Sequence, residues 1–136
     1  MHDLVALALG ASREAAEIAN GRGLRAARLT AIKADIRAAL AEQGLSLTTL
    51  AARHGVSPRY VQVLFESDGI TFSQFLLTER LERVHRMLRD PPQMGRSIST
   101  IAYESGFSDL SHFNRAFRRR YGATPSDVRA AARRET

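Results

Sequence analysis

Cysteine and tryptophan are both missing from this sequence. Without cysteine the chain can form no disulfide, use no thiol nucleophile and bind no metal through thiolates, and this fits a reducing cytoplasm. Long hydrophobic runs are missing as well. The apolar run Leu4–Leu9 is too short to span a bilayer and lacks the basic flank of a signal peptide. We therefore expect a soluble, cytoplasmic protein with no membrane partner.

The sequence also has little strand-like alternation of apolar and polar residues. Its hydrophobic residues, 44% of the chain, recur instead at helical spacing. A chain of 136 residues has room for one domain, or for one domain with an attached element. The pattern therefore predicts an all-α fold with a hydrophobic core.

Acidic residues are too few to balance the basic ones, and the net charge is +6. Residues 1–44 carry six Lys and Arg against five Asp and Glu, whereas residues 45–136 carry fourteen against nine. The basic excess therefore lies in the larger, C-terminal part of the chain. Such a surface suits a polyanion, with nucleic acid as the first option and an anionic membrane as the second.

Two helices are predicted in the first 44 residues. The first covers residues 3–20 and ends at a glycine-rich break. The second covers residues 24–43 and ends at Gly44. We expect residues 1–20 to be dispensable for folding of the remainder. The second helix carries an apolar stripe at helical spacing, formed by Leu29, Ile32, Ile36 and Leu40.

An internal repeat follows these helices. The segment LTTLAARHGVS, residues 47–57, aligns without gaps with ISTIAYESGFS, residues 98–108. Both copies place apolar residues first and fourth, alanine fifth, glycine ninth and serine last. Because the match is short and occurs only twice, it indicates a duplicated motif and not a solenoid.

Each copy of the repeat predicts a helix, a turn and a second helix. The apolar residues give a short helix one buried face, and the small alanine lets another helix cross nearby. Gly55 and Gly106 can take positive φ and turn the chain sharply. Ser57 and Ser108 can then cap the following helices. This is the layout of a helix-turn-helix motif, and two copies are much more specific than one.

Longer elements connect and extend the two copies. The second helices of the copies are predicted at residues 58–66 and 109–121, and Gly122 ends the latter. Residues 71–89 form one long helix between the copies, and residues 90–97 form a surface loop. The predicted fold is therefore two helix-turn-helix subdomains joined by a long helix and preceded by an N-terminal helical segment.

These stretches resemble the C-terminal DNA-binding domain of AraC/XylS-type transcriptional regulators. The most specific match is ISTIAYESGFSDLSHFNRAFRRRYGATPSDVR, and LAARHGVSPRYVQVLF and GITFSQFLLTERLERVHRML are also similar. The resemblance implies a double helix-turn-helix DNA-binding domain at residues 45–129. Residues 1–44 are similar to the end of a sensor domain and its linker helix, and residues 130–136 are a C-terminal tail.

The resemblance implies a sequence-specific, double-stranded DNA-binding transcriptional regulator of the activator type, and not an enzyme. The long helix would hold two recognition helices one helical turn apart, roughly 34 Å, so that both enter adjacent major-groove segments. RNA polymerase is a further candidate partner, and the N-terminal helices offer a surface for a homodimer.

Two other interpretations of the chain remain. The first is a helical interaction module, or a truncated regulator, that acts mainly by pairing with a full-length regulator. The second is a basic amphipathic protein on a membrane surface. The polar helix faces are mixed in sign and not uniformly basic, which counts against the membrane-surface interpretation.

The candidate DNA-contacting residues lie mainly on the two recognition helices. Arg59, Gln62 and Val63 are predicted to point outward, where they can read guanine, adenine and the thymine methyl group respectively. The base-contacting positions of the family map onto these residues. Leu110 replaces a glutamine common in the family, which leaves an apolar contact with a thymine methyl. The full set is Arg59, Tyr60, Gln62, Val63, Arg80, Leu110, Ser111, His112, Asn114, Arg115, Arg118 and Arg119.

Several candidates have a second interpretation. Arg59 and Gln62 could be plain solvated surface, and Arg115 could form an intramolecular pair. The run Arg118–Arg120 could contact phosphate, or it could be a solvated helix end favoured by the helix dipole. Arg80 could contact phosphate or serve a structural role.

The histidines do not indicate a catalytic or metal site. His54, His85 and His112 lack the spacing of zinc-binding motifs, so no cofactor is expected. DNA-repair proteins with a similar domain pair it with reactive cysteines, which this chain does not have.

Overall fold

The computed structural model of the chain describes residues 21–135, which are all-helical apart from turns and loops. This confirms the predicted fold class, and the helix predicted at residues 3–20 lies outside the described residues. The described helices are α1 (Arg22–Ala38), α2 (Leu47–His54), α3 (Pro58–Ser67), α4 (Phe72–Leu88), α5 (Ile98–Glu104), α6 (Leu110–Tyr121) and α7 (Pro125–Glu135), with a short 3-10 helix at Pro91–Gln93.

The chain divides into two packed units. Among the described residues, the first contains 21–39 and Gly44–Phe75, and the second contains Leu40–Gln43 and residues 76–135. Helix α4 therefore begins in the first unit and belongs to the second from Leu76. Each unit holds one of the two repeat copies.

The core of the first unit is formed by α1, α2, α3 and the start of α4. Ile32 and Ile36 of α1 are fully buried, because the apolar stripe of that helix faces the unit's interior. Phe65 of α3 packs against Phe72 and Phe75, with ring centroids 6.0 and 5.6 Å apart. Each such side chain contributes about 1.5–3 kcal/mol through burial, so α1 is an integral part of this unit.

The core of the second unit is built on aromatic residues of the second repeat copy. Phe113 and Phe117 of α6 are fully buried, and Phe107 from the preceding turn packs against Phe113 at 4.9 Å. The i, i+4 spacing of the two α6 rings places both on the inner face of the helix. Val84 and Leu88 of α4 join the same core.

The two turns have equivalent geometry in the two copies. Gly55 and Gly106 both have positive φ, 64° and 105°, as the sequence predicts. The N–H of the next residue closes each turn: Val56 donates to the Ala51 carbonyl at 3.0 Å, and Phe107 donates to that of Ala102 at 3.1 Å. The repeat in the sequence is therefore a repeat in the structure.

The caps of the second helices differ between the copies. Ser57 accepts a hydrogen bond from the N–H of Tyr60 and caps α3, as predicted, with Pro58 as the first helical residue. In the second copy the predicted cap is wrong by one residue. Asp109, not Ser108, accepts from the N–H of His112, and α6 begins at Leu110. A carboxylate at this position both bonds the free N–H and complements the helix dipole.

The end of the first described helix also differs from the prediction. Helix α1 ends at Ala38 and not at Gly44. Residues 40–43 belong to the second unit, and Arg80 donates to the carbonyls of Leu40 and Glu42 there. Arg80 therefore supplies hydrogen bonds to two carbonyls in the segment that follows α1.

Two helices near the ends of the described range pack into the units. Helix α1, from the sequence segment 1–44, packs inside the first unit. Helix α7 continues through most of the predicted tail 130–136, and its Ala132 is buried. Its Arg133 donates to the carbonyl of Met94 at 2.6 Å, which fixes the helix on the loop before α5.

Candidate nucleic-acid interface

The first recognition helix, α3, divides cleanly into a buried and an exposed face. Val61, Leu64 and Phe65 are buried, whereas Arg59 and Gln62 are exposed. The exposed face is therefore polar, with a hydrogen-bond donor at Arg59 and both donors and acceptors at Gln62. These are the groups that can read the edges of guanine and adenine in a major groove.

Two further features shape this exposed face. Val63 is 37% exposed, which is unusual for a large apolar side chain in this protein. The Nη1 atom of Arg59 lies 3.8 Å from Oε1 of Glu66, and both side chains are more than half exposed. An exposed ion pair of this kind contributes at most about 1 kcal/mol, so Arg59 can leave Glu66 for a stronger anionic partner at little cost.

Tyr60 does not share the exposed face with its neighbours. Its side chain is only 6% exposed and belongs to the hydrophobic core of the first unit. Its backbone N–H donates a hydrogen bond to the Ser57 hydroxyl oxygen, which caps α3. The sequence grouped Tyr60 with the candidate contacts by its position on the helix, and its side chain is buried, unlike those of Arg59 and Gln62.

The second recognition helix, α6, presents a broader polar face. Phe113, Ala116 and Phe117 are buried. Leu110 is half-buried and packs partly against the core, so only part of its side chain can reach a ligand. The exposed side chains are Ser111, His112, Asn114, Arg115, Arg118 and Arg119. No carboxylate among the described residues pairs with Arg115, which leaves its guanidinium available to a ligand.

The three consecutive arginines at the end of α6 are not equivalent. Arg120 donates to Glu82 of α4 at 2.8 Å, and its guanidinium lies 5.5 Å from the ring of Tyr121. Its interactions with Tyr121 and Glu82 raise the pKa of this guanidinium. Arg118 and Arg119 are exposed on the same turn. All three arginines are exposed, and one of them also bonds another helix of the protein, which periodicity alone does not reveal.

Arg80 occupies a position unlike those of the other candidates. Its Nε donates to the carbonyl of Leu40 at 3.0 Å, and its Nη2 donates to that of Glu42 at 3.1 Å. Burial lowers the pKa of its guanidinium. Of the two roles that the sequence left open, the structural one accounts for these contacts. The sequence contained no signal for them, because the bonded carbonyls are far from Arg80 in the chain.

Residues 21–135 contain no cluster of three or more His, Asp or Glu side chains placed to hold a metal ion. Within the same range, no helix is both long and apolar enough to cross a membrane.

Comparison with known proteins identifies the family. A family model described as a helix-turn-helix domain matches residues 50–131. The transcriptional activator RhrA of Rhizobium meliloti (strain 1021) is 41% identical over 105 residues, which are 77% of this chain and 33% of that protein. This chain belongs to the AraC/XylS family of transcriptional regulators. The sequence-based assignment is thereby confirmed.

This chain is also similar in sequence and in structure to further AraC-type regulators. The XylDLEGF operon transcriptional activator of Pseudomonas putida is 34% identical over 95 residues, covering 69% of this chain and 30% of that protein. A crystal structure of an AraC-type transcriptional regulator from Chromobacterium violaceum matches with a TM-score of 0.72 and 29% identity, covering 82% of this chain and 96% of that one. The chain spans about a third of the length of these two curated relatives.

Proposed function

We propose that the exposed faces of α3 and α6 bind two adjacent major-groove segments of one DNA duplex. The observation that carries this proposal is that each unit turns the same kind of polar helix face outward from a well-packed aromatic core. A rigid helix with short polar side chains and arginines on one face matches the width and hydrogen-bonding pattern of the major groove.

Within this interface the exposed residues divide into readers and anchors. Arg59 and Gln62 on α3, and Asn114 and Arg115 on α6, have the side-chain chemistry that distinguishes base pairs. The exposed Arg118 and Arg119 at the end of α6 have the chemistry of phosphate contacts, which position a protein without specifying sequence. His112 and Ser111, near the start of the same helix, serve as further backbone contacts.

Activation of transcription through RNA polymerase is the regulatory role that we propose for the whole protein. Relatives named as transcriptional activators support it, although this chain covers only about a third of RhrA. Self-association through the N-terminal residues is the second proposal about partners. The alternative of a pairing module that does not itself bind DNA is not favoured by the family.

The experiment that tests DNA binding is selection of duplexes from a randomised pool by the purified chain, followed by footprinting of the selected site. We expect one protected site with two sequence-dependent segments. With about six phosphate contacts, the slope of log K against log salt concentration should be near −5. Binding that enriches no sequence, or that is insensitive to salt, would contradict the proposal.

A further inference from the structure

Three groups that are distant in the sequence meet at one point in the second unit. The Arg80 guanidinium bonds the carbonyls of Leu40 and Glu42, and the Cα of Gly106 lies against the same pair of groups. A Cβ at Gly106 would overlap the Leu40 carbonyl oxygen and the Arg80 side chain. Leu40 and Gly106 are both buried, so this is an enclosed contact and not a surface encounter.

This arrangement connects the Arg80 side chain to the start of α6. Gly106 is the positive-φ residue of the second turn, and Asp109, three residues later, caps α6. The N–H groups of Gly106 and Phe107 hold the turn closed by donating to the carbonyls of Tyr103 and Ala102, both at 3.1 Å. Arg80 and Leu40 contact this turn at Gly106, in addition to the bonds that the turn makes with α5.

We propose that Arg80 is a positioning residue for the second recognition helix: it holds residues 40–43 against the Gly106 turn and so fixes where α6 begins. The inference rests on the proposed DNA-binding function, since it concerns how well the α6 face reads bases. This role of Arg80 differs from a phosphate contact, because its donors Nε and Nη2 are already bonded to backbone carbonyls. A planar guanidinium can bond both carbonyls at once, which a lysine ammonium on a flexible stem does less well.

The first test needs no DNA and uses hydrogen exchange of the intact chain. Arg80→Gln is compared with Arg86→Gln, which removes the same charge from an exposed position of α4. In Arg80→Gln, the amides of Gly106 and Phe107 should exchange about tenfold faster or more, through local opening of the turn. The equivalent amides of Gly55 and Val56 in the first unit should keep their rates, and Arg86→Gln should change neither turn.

Three outcomes of this test would overturn the proposal. One is unchanged exchange at Gly106 and Phe107. Another is equal acceleration in both turns, which would mean general destabilisation. The third is failure of both Arg80→Gln and the milder Arg80→Lys to fold, because a residue needed by the whole fold is not a positioning residue. An intermediate acceleration in Arg80→Lys supports the proposal.

The second test measures base preference along the selected DNA site. Positions that lose preference in Arg59→Ala define the α3 segment, and those that lose it in Arg115→Ala define the α6 segment. Arg80→Gln should reduce discrimination about tenfold in the α6 segment alone, the size of one lost base contact, and should leave the salt slope unchanged.

A uniform loss over all sequences, with the slope lowered by about one, would make Arg80 a phosphate contact and overturn the proposal. If the parent chain binds no DNA, the proposed function fails, and the hydrogen-exchange test still decides whether Arg80 positions the turn.

Discussion

The carbonyl oxygen of Leu40 occupies the space where a side chain at Gly106 would begin. Position 106 therefore favours glycine for two separate reasons. Its φ of 105° is one that residues with a Cβ rarely adopt, and its Cα faces a backbone carbonyl and the Arg80 guanidinium. Only the first reason applies to Gly122, since its φ is 69° and no neighbouring atom of residues 21–135 lies within 4 Å of the position of a Cβ.

Substitution of the two glycines should separate these two reasons. Gly122→Ala should lower the free energy of unfolding by about 1–3 kcal/mol, through backbone strain alone. Gly106→Ala should cost that amount plus about 1–3 kcal/mol of overpacking, because a backbone carbonyl cannot rotate away as a flexible side chain can. Chemical denaturation of both variants measures the difference. Equal losses would show that the Leu40 contact relaxes freely.

Substitution of arginines should distinguish sequence reading from positioning on DNA. Arg59→Ala should cost about 1–3 kcal/mol on the preferred site and relax preference at one base position. Arg119→Ala should instead weaken binding to all sequences about equally and lower the salt slope by about one. The measurement is a titration of specific and random duplexes at several salt concentrations. Equal losses on both duplexes for Arg59→Ala would make that residue an anchor.

The spacing between the two DNA segments should also matter. The proposed binding of two adjacent major-groove segments one helical turn apart predicts one preferred spacing. Inserting about five base pairs turns one segment to the opposite side of the duplex, and binding should collapse. Inserting about ten should rescue binding only in part. Full rescue, measured by mobility shift, would mean that the units move independently or that only one contacts DNA.

Stability should depend on pH through His85. Its ring stacks on Tyr121 at a centroid distance of 4.3 Å, and burial, together with Arg89 and Arg120, lowers its pKa against the opposing effect of Glu82. Because the folded state holds this proton less tightly than the unfolded state, stability is retained above about pH 6.5 and is lost as the pH falls below that value.

The measurement for this prediction is a thermal unfolding series from about pH 7.5 to about pH 5.5, around the ordinary histidine pKa. The parent chain should lose more stability over that range than His85→Gln, in which the titrating group is absent. The comparison between the two chains removes the contribution of the other histidines, which are present in both. A parallel pH profile in the two chains would contradict the role of His85.

Local sequence patterns predicted the elements of this fold well. The repeat at residues 47–57 and 98–108 correctly located both turns, and the two glycines have the positive φ expected of them. The apolar spacing of α3 and α6 correctly indicated their buried faces. These features depend on a residue's own conformational preference and on the helical period, both of which can be read within a short window.

Predictions that depended on distant contacts were less complete. Helix α1 ends at Ala38, and Arg80 bonds the carbonyls of residues 40 and 42 beyond that end, whereas the sequence favoured Gly44 as the stop. Arg120 differs from Arg119 because Glu82 lies beside it. Tyr60 was grouped with exposed neighbours although its ring lies in the core.

The sequence by itself determined the family, the helical class, the duplicated turn and the polar faces of the two recognition helices. These follow from short-range periodicity, from turn glycines and from motifs whose residues are close together in the chain. Only the tertiary structure decided that Arg80 bonds the carbonyls of Leu40 and Glu42, that α1 packs in the first unit and that Gly106 lies against Leu40. The physical reason is that a side chain's role depends on which groups the fold brings within hydrogen-bonding distance, and residues remote in sequence supply most of those groups.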